Sequence, residues 1–325
     1  MYRKTFLLIS SALLLTAQKP LRFEARVDMV SVPVAVTDQD GNFVHDLDPS
    51  LFTVYEDGVE QEVSLFAAGL EGSWVGMSPD MKEAMSGKQV MGLILDASGS
   101  MDEEMSLVQS AALKFLDNIP ATEHLLFLDF DENIRLSEYS SDDQRQIAER
   151  VYDMEAEGWT ALYDAVGTVL DRVYNYDGKK TLVVFSDGVD SRSTLGIGDI
   201  LDMVKDSSVT IHTIHFGGPR QNPSRLFTQG KFLRQISKLT GGSYAVATSL
   251  EQIDEFYDRI LEELFSQYTL GYISTNTQRD GSYRKIKVEV AQKGVKVRAR
   301  EGYTGPFDEP DEPDKPDKPD KDGGR

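Results

Sequence analysis

The spacing of hydrophobic and polar positions changes character twice along the chain. Between Phe23 and Ala67 the period is two. Val30, Val32, Val34 and Val36 alternate with Ser31, Pro33, Ala35 and Thr37, the pattern of a strand with one buried face. Asp40-Gly41 and Asp57-Gly58 are turn signals, and the second lies between Phe52–Tyr55 and Val63–Phe66, predicting a hairpin of those two strands. Residues 69–88 carry no period and read as a linker. From Lys88 to about Gln267, continuous apolar runs alternate with helical spacing. Val90–Leu95, Leu125–Phe130, Thr181–Phe185 and Val209–Phe216 predict buried strands, Ile134–Tyr139 an edge strand and Ser243–Ala247 a short one. Helical spacing covers Met105 to Ile119, then 142–153, 161–176, 224–239 and 250–266. Such alternation predicts an α/β unit, a doubly wound and mostly parallel sheet with helices on both faces. After Gln267 the period returns to two in Tyr268–Ser274, Tyr283–Val290 and Val295–Arg300, with turns at Asp280-Gly281 and Lys293-Gly294.

Each flanking β piece is too short to enclose a core of its own. Pooled, they supply about seven strands, enough for a small sandwich. The predicted organisation is therefore a discontinuous β-sandwich formed by 22–68 and 267–304, a linker at 69–88, and a doubly wound domain over 89–266 inserted into it. The two ends lie outside this plan. Arg3 and Lys4 precede an apolar run from Phe6 to Ala17, shorter than the roughly 20 residues a spanning helix needs. Residues 1–17 thus read as a cleaved export signal, with no membrane span in the mature chain. Residues 305–325 repeat proline every third position among acids and lysines, a composition that cannot build a core and predicts an extended, solvated acidic tail. The expected location is a bacterial envelope: exported, then periplasmic, secreted or on the cell surface.

Composition narrows the chemistry. No cysteine is present, which removes disulfides, thiolate metal sites and cysteine nucleophiles together. A net charge of −20 argues against nucleic acid and favours cationic partners or bound metal ions. The chemically informative turn is Asp96-Ala97-Ser98-Gly99-Ser100, following the first buried strand, where open α/β sheets bind their ligands. One carboxylate and two hydroxyls on a tight turn are hard oxygen ligands, suited to Mg²⁺, Mn²⁺ or Ca²⁺. Two further loops offer matching groups, Thr160 just before a helix and Asp187 just after the third buried strand.

Asp96, Ser98, Ser100, Thr160 and Asp187 together resemble the von Willebrand factor type A (VWA) domain with a complete metal-ion-dependent adhesion site. The likeness extends over 88–266 and includes Ala161-Leu162-Tyr163-Asp164-Ala165 and Gly241-Gly242-Ser243-Tyr244. The flanks resemble a narrower group, the VWFA-related proteins abundant in Acidobacteria, through Phe52-Thr53-Val54-Tyr55-Glu56-Asp57-Gly58, Tyr268-Thr269-Leu270-Gly271-Tyr272 and Asp280-Gly281-Ser282-Tyr283-Arg284-Lys285-Ile286. What the resemblance implies is a divalent-metal-dependent protein-binding module without catalysis. Its serines and threonine bind the ion directly, its aspartates partly through water, and a partner's Asp or Glu completes the shell. The alternative is a scaffold or assembly factor in which the metal site is structural or regulatory; partner and oligomeric state are left open.

Around that site Met101, Trp159, Asp190 and Arg192 are candidates for a partner-binding rim. Trp159 reads equally as an exposed anchor or as a side chain packed beneath its loop. Asp102 and Glu103 read as helix amino-terminal charge, and Asp190 and Arg192 as surface charge if not partner-reading. Catalysis finds no support. Position 98 is Ser where aspartyl phosphotransfer wants a second acid, no Gly-x-Ser-x-Gly elbow occurs, and His212 and His215 are spaced to opposite faces of a strand. His45 and His124 show no obvious partners. In the last hairpin Lys285, Lys287, Lys296, Arg298 and Arg300 alternate with apolar positions. The basic set is expected to face solvent, with docking to an acidic surface, the inserted domain being one such surface, as the weaker alternative.

Overall fold

The structure, a computed structural model, describes residues 29–69, 89–119, 122, 124–140, 143–217 and 222–308. The export signal at 1–17, nearly all of the linker at 69–88 and most of the acidic tail lie outside the described residues.

The strand-like amino-terminal segment forms β1 (Met29–Thr37), β2 (Phe52–Glu56), β3 (Val59–Gln61) and β4 (Val63–Ala68). The carboxy-terminal segment forms β11 (Tyr268–Ile273), β12 (Tyr283–Val290), β13 (Lys296–Ala299) and β14 (Gly302–Thr304). Neither segment makes a sheet alone. One antiparallel sheet has the order β13-β1-β11-β4, the other β14-β12-β2-β3, so every sheet mixes strands from both ends of the chain. Val30, Val32, Val34 and Val36 face the enclosed core together with Phe52, Val54, Phe66, Tyr268, Leu270 and Ile286. One expectation is corrected. The hairpin partner of β2 across Asp57-Gly58 is β3, while Val63–Ala68 belongs to the opposite sheet. Glu62 separates the two, and the chain changes sheets there.

The inserted domain begins with β5 (Gln89–Asp96) and α1 (Met105–Asn118), then β6 (His124–Phe130), β7 (Ile134–Tyr139) and α2 (Gln144–Tyr152). It continues with α3 (Leu162–Tyr174), β8 (Lys179–Ser186), α4 (Ile197–Asp206) and β9 (Thr210–Phe216). It closes with α5 (Pro223–Gln229), α6 (Lys231–Thr240), β10 (Tyr244–Ala247) and α7 (Leu250–Ser266). The six-stranded sheet has the order β10-β9-β8-β5-β6-β7, parallel except for the edge strand β7. Helices α1, α2 and α7 cover one face and α3, α4 and α6 the other, giving two separate apolar cores. This is the doubly wound architecture inserted into a sandwich. The insertion leaves and rejoins the sandwich through neighbouring strands: β4 pairs with β11, and the Gly69 amide donates to the Gln267 carbonyl at 3.0 Å. A whole domain thus replaces a hairpin loop without disturbing the sheet that carries it.

The sandwich also grips the insertion. Arg298 donates to the Gly241 carbonyl at the end of α6 and to Glu263 of α7 at 2.5 Å. Arg300, buried, donates to the Lys205 and Ser207 carbonyls at the end of α4, at 3.2 and 3.0 Å. Both guanidinium groups therefore serve orphan carbonyls at helix carboxyl ends, where positive charge is favoured. The expectation that the whole basic set faces solvent holds for Lys285, Lys287 and Lys296 and fails for these two arginines. The inserted domain covers that end of the outer face.

Candidate functional site

The strand β5 carries Asp96 to the carboxyl edge of the parallel sheet, and the chain then makes a tight turn through a 3-10 segment at Gly99–Met101. The turn folds back on its own side chains. Asp96 Oδ1 accepts from the Ser98 amide at 3.0 Å and from the Ser98 hydroxyl at 2.5 Å, while Ser98 Oγ and Ser100 Oγ lie 3.2 Å apart. The other oxygen of Asp96 accepts from Ser186 Oγ at 2.6 Å. That bond ties β5 to the end of β8, one residue before Asp187. Asp96 and Ser98 have no exposed surface, whereas Ser100 is exposed. The cluster thus opens outward at Ser100.

The second loop is laced to the first through backbone. The Gly99 amide donates to the Gly158 carbonyl at 3.1 Å and the Glu157 amide to the Ala97 carbonyl at 2.9 Å. Thr160, two residues on, is buried. Its carbonyl accepts from the amides of Ser191 and Arg192, both at 2.9 Å, and its amide donates to Ser191 Oγ at 3.0 Å. The third loop, after β8, holds Asp187, which is buried and accepts from the Val189 amide at 2.9 Å. Gly188 follows with φ +77°, and a Cβ there would lie 2.4 Å from the Gln229 carbonyl oxygen. Glycine is required by both conformation and space. The structure thus brings all three loops together at one edge, and Asp96, Ser98 and Ser100 into direct contact.

The electrostatics follow from burial. Enclosure pushes the Asp96 carboxyl up to about 7, helped by the negative charge of Asp187 and opposed by the hydroxyl donors Ser186 and Ser98. Glu104 is also raised, through burial first and then its acidic neighbours Glu103 and Asp187. Among the described residues no lysine or arginine pairs with Asp96 or Asp187. Two carboxylates brought together with hydroxyls and no basic partner suit a hard cation, which would favour their ionised forms. Among the described residues no group of three or more His, Cys, Asp or Glu side chains is arranged to hold a metal ion; a cation here depends on hydroxyl oxygens.

The rim candidates divide. Trp159 is 64% exposed, on a loop held by Glu132, which accepts from the Trp159 amide at 3.1 Å. Arg192 is exposed. Asp190 is partly buried, and its Oδ1 accepts from the Tyr163 amide and the Ser193 hydroxyl, so it braces its own loop. Met101 is fully buried in the core beneath the turn and is removed from the rim: the 3-10 turn points it inward. Ser186 and Ser191 were not singled out from the sequence, and Asp164 entered only within the Ala161–Ala165 segment, with no role of its own. Asp164 accepts from the amides of Thr194 and Leu195, both at 2.8 Å, and so fixes the loop after Asp187. Only Ser186 carries a legible signal, its position beside Asp187 at a strand end.

Three of the four histidines are held in place by their surroundings, and His45 is exposed. His212 and His215 are both buried, and His124 has a partner after all, Glu138 Oε1 at 2.7 Å.

A six-stranded α/β domain with an all-oxygen cluster at its carboxyl edge, grown out of a β-sandwich hairpin, defines the class of protein. The chain belongs to the von Willebrand factor type A domain family, whose model matches residues 91–265. A curated relative, the calcium-activated chloride channel regulator 3A-1 of Mus musculus, is 28% identical over 187 residues, 54% of this chain. The matched stretch spans only 19% of that relative's length. Among solved structures, a von Willebrand factor type A protein from Catenulispora acidiphila aligns with TM-score 0.45 and 12% identity, covering 76% of this chain and 75% of its own. The vWF domain of the type V pili tip protein Mfa5 from Porphyromonas gingivalis aligns with TM-score 0.42 and 10% identity, covering 53% and 95%. No helix among the described residues is long and apolar enough to cross a membrane.

Proposed function

We propose that the carboxyl edge of the inserted sheet is a divalent-cation-dependent protein-binding site, a metal-ion-dependent adhesion site completed by an Asp or Glu of the partner. VWA domains are generally interaction modules. The observation that carries the finer reading is the meeting of three loops that bear Asp96, Ser98, Ser100, Thr160 and Asp187, with no basic side chain paired to either carboxylate among the described residues. In this reading those five residues hold Mg²⁺, or Mn²⁺ or Ca²⁺. The cation supplies a centre of positive charge that attracts an incoming carboxylate, strongly once water leaves.

The chain's own residues do the rest. Ser186 and Ser98 hydroxyls orient both oxygens of Asp96. Asp164, Asp190 and Ser191 hold the flanking loops. Trp159, exposed beside Thr160, provides an apolar anchor of the kind that dominates interface energetics. Without the cation, Asp96 and Asp187 repel an acidic partner. No catalytic step is part of the reading, and the protein acts in a bacterial envelope after export through its leading apolar segment.

The test is a pull-down from envelope extract with Mg²⁺ and with chelator, repeated with Asp96→Ala and Thr160→Ala chains whose folding is confirmed by circular dichroism. A partner held only by the wild type and only with cation is the expected result. A partner retained in chelator and by both variants overturns the reading in favour of a metal-independent scaffold.

A further inference from the structure

At the opposite end of the inserted sheet, where β8 and β9 begin, a small cavity of about 100 Å³ lies between the two domains. Lys179, Lys180, Thr181 and Ser208 line it from the inserted domain, Ser31 and Thr269 from the sandwich. None of its described lining residues is acidic, which is unusual in a chain with 54 acids and 34 bases. Lys179 Nζ donates to the Gly69 carbonyl at 3.0 Å, and Lys180 Nζ reaches Ser208 Oγ at 3.5 Å. Neither forms an ion pair among the described residues, although Asp177 acts on Lys180 at longer range. An ammonium has three donors, so Lys179 keeps two beyond its bond to Gly69. Thr269 is 3% exposed and its hydroxyl has no hydrogen-bond partner among the described residues. Buried polar groups are ordinarily satisfied, and an orphan marks a missing partner. Burial, with no carboxylate to offset it, pushes the Lys179 ammonium down to about 8.

We propose that this cavity binds a small free oxyanion, of the size and charge of phosphate or sulfate, clamped between the inserted domain and the sandwich. The volume admits a group of a few heavy atoms and is well below the roughly 300 Å³ at which organic-ligand pockets begin. Two ammonium groups supply the charge, and the hydroxyls of Thr269 and Thr181 supply donors from the two sides of the junction. A tetrahedral oxyanion presents acceptors in several directions at once, which a monatomic halide matches less well. Because the donors come from both domains, the bound anion couples their orientation. The site is independent of the carboxyl edge: β8 separates them by roughly 20 Å at the rise of a parallel strand.

The experiment is isothermal titration calorimetry of the full chain with inorganic phosphate and with sulfate, at constant ionic strength set by chloride. Chelator is present so that the carboxyl edge takes no part. One-to-one saturable binding is expected, accompanied by a rise in Tm that saturates over the same range. Lys179→Gln is expected to weaken binding roughly tenfold or more, since it removes a charge-assisted donor, and Thr269→Val a few-fold. Lys285→Gln, an exposed lysine elsewhere, leaves it unchanged. If Lys179→Gln does not fold, Lys180→Gln and Thr269→Val decide the matter. Heat that never saturates, a Tm rise that never saturates (the general salting effect of these ions), or equal affinity in the wild type and the lining variants overturns the proposal.

Discussion

His212 is fully enclosed on β9, and its Nδ1 accepts from the Ser243 amide at 3.1 Å. Protonating that nitrogen would set two donors against each other in a buried place. Burial holds the imidazole down to about 4 from its ordinary 6.5; Arg298 acts in the same direction and Glu263 opposes it. As pH falls below 6.5 the unfolded chain takes up a proton that the folded chain refuses until about 4. Stability is therefore lost across that window, by roughly 3 kcal/mol at most. Urea titrations at pH 7 and pH 4.5 should show a difference that shrinks in His212→Asn, which keeps an acceptor and cannot titrate. In the sandwich, Arg284 and Glu56 are both fully buried, 3.4 Å apart. Tyr272 and Tyr303 hydroxyls donate to Glu56 at 2.7 and 2.9 Å, and Ser274 at 2.6 Å. Three segments from the two ends of the chain, around Glu56, Tyr272 and Arg284, meet in this one network. Arg284→Met strands a buried carboxylate and is expected to cost about 3–5 kcal/mol. Lys287→Met, on the exposed face, should stay within about 0.5 kcal/mol by the same denaturation measurement.

The element least visible in the sequence is α4. Ile197, Ile200, Leu201 and Val204 have helical spacing, yet the expectations from sequence place no element between Phe185 and Val209. Its first turn is capped by Asp199, which accepts from the Gly196 amide at 2.9 Å, and its last by Arg300 from another domain. The single helix expected over 224–239 is two, α5 and α6. Gly230 stands at their junction with φ −73° and ψ 2°, and it must be glycine because a side chain there would lie 2.3 Å from the Tyr244 hydroxyl and 2.4 Å from His215. Helix α6 ends on Gly241 with φ +77°, and a Cβ there would sit 2.6 Å from the Arg300 amide nitrogen. Gly241→Ala thus combines a left-handed conformation with a backbone clash and is expected to cost well over 1 kcal/mol. Arg300→Ala leaves carbonyls of α4 unserved. Hydrogen exchange should accelerate in the last turn of α4 while β5 and β8 stay protected, and uniform acceleration across the domain would contradict a local capping role.

At the scale of the whole molecule, the carboxy-terminal strands complete both layers of the sandwich. Strand β1 finds its two neighbours, β11 and β13, only after the inserted domain has been made. A chain ending at Ser266 deprives β1 of both and β4 of β11. Such a fragment is expected to keep the far-UV signal of the inserted helices, to bind hydrophobic dye through the bared valine face of β1, and to self-associate in size-exclusion chromatography. It also loses Arg298 and Arg300, so α4 and α6 should fray. A monomeric fragment that binds no dye would show that the first four strands can cover themselves.

The period of each segment and the glycine turns were legible in the linear order because they rest on local spacing, two for strands and 3.6 for helices, whereas Thr160 and Asp187 lie far along the chain from Asp96 and were grouped with it by resemblance alone. Asp96, Ser98 and Ser100 fall on one turn, so their mutual contact is built into the chain's shortest range. What no spacing contains is which distant surfaces cover one another. Local periodicity specifies that a face is apolar or basic; the partner that removes it from water is selected by packing across hundreds of residues. That is why Arg298 and Arg300 turn inward while Lys285 and Lys287 do not, why Met101 lies under the site instead of on its rim, and why Lys179 and Thr269 come to line one cavity between two domains.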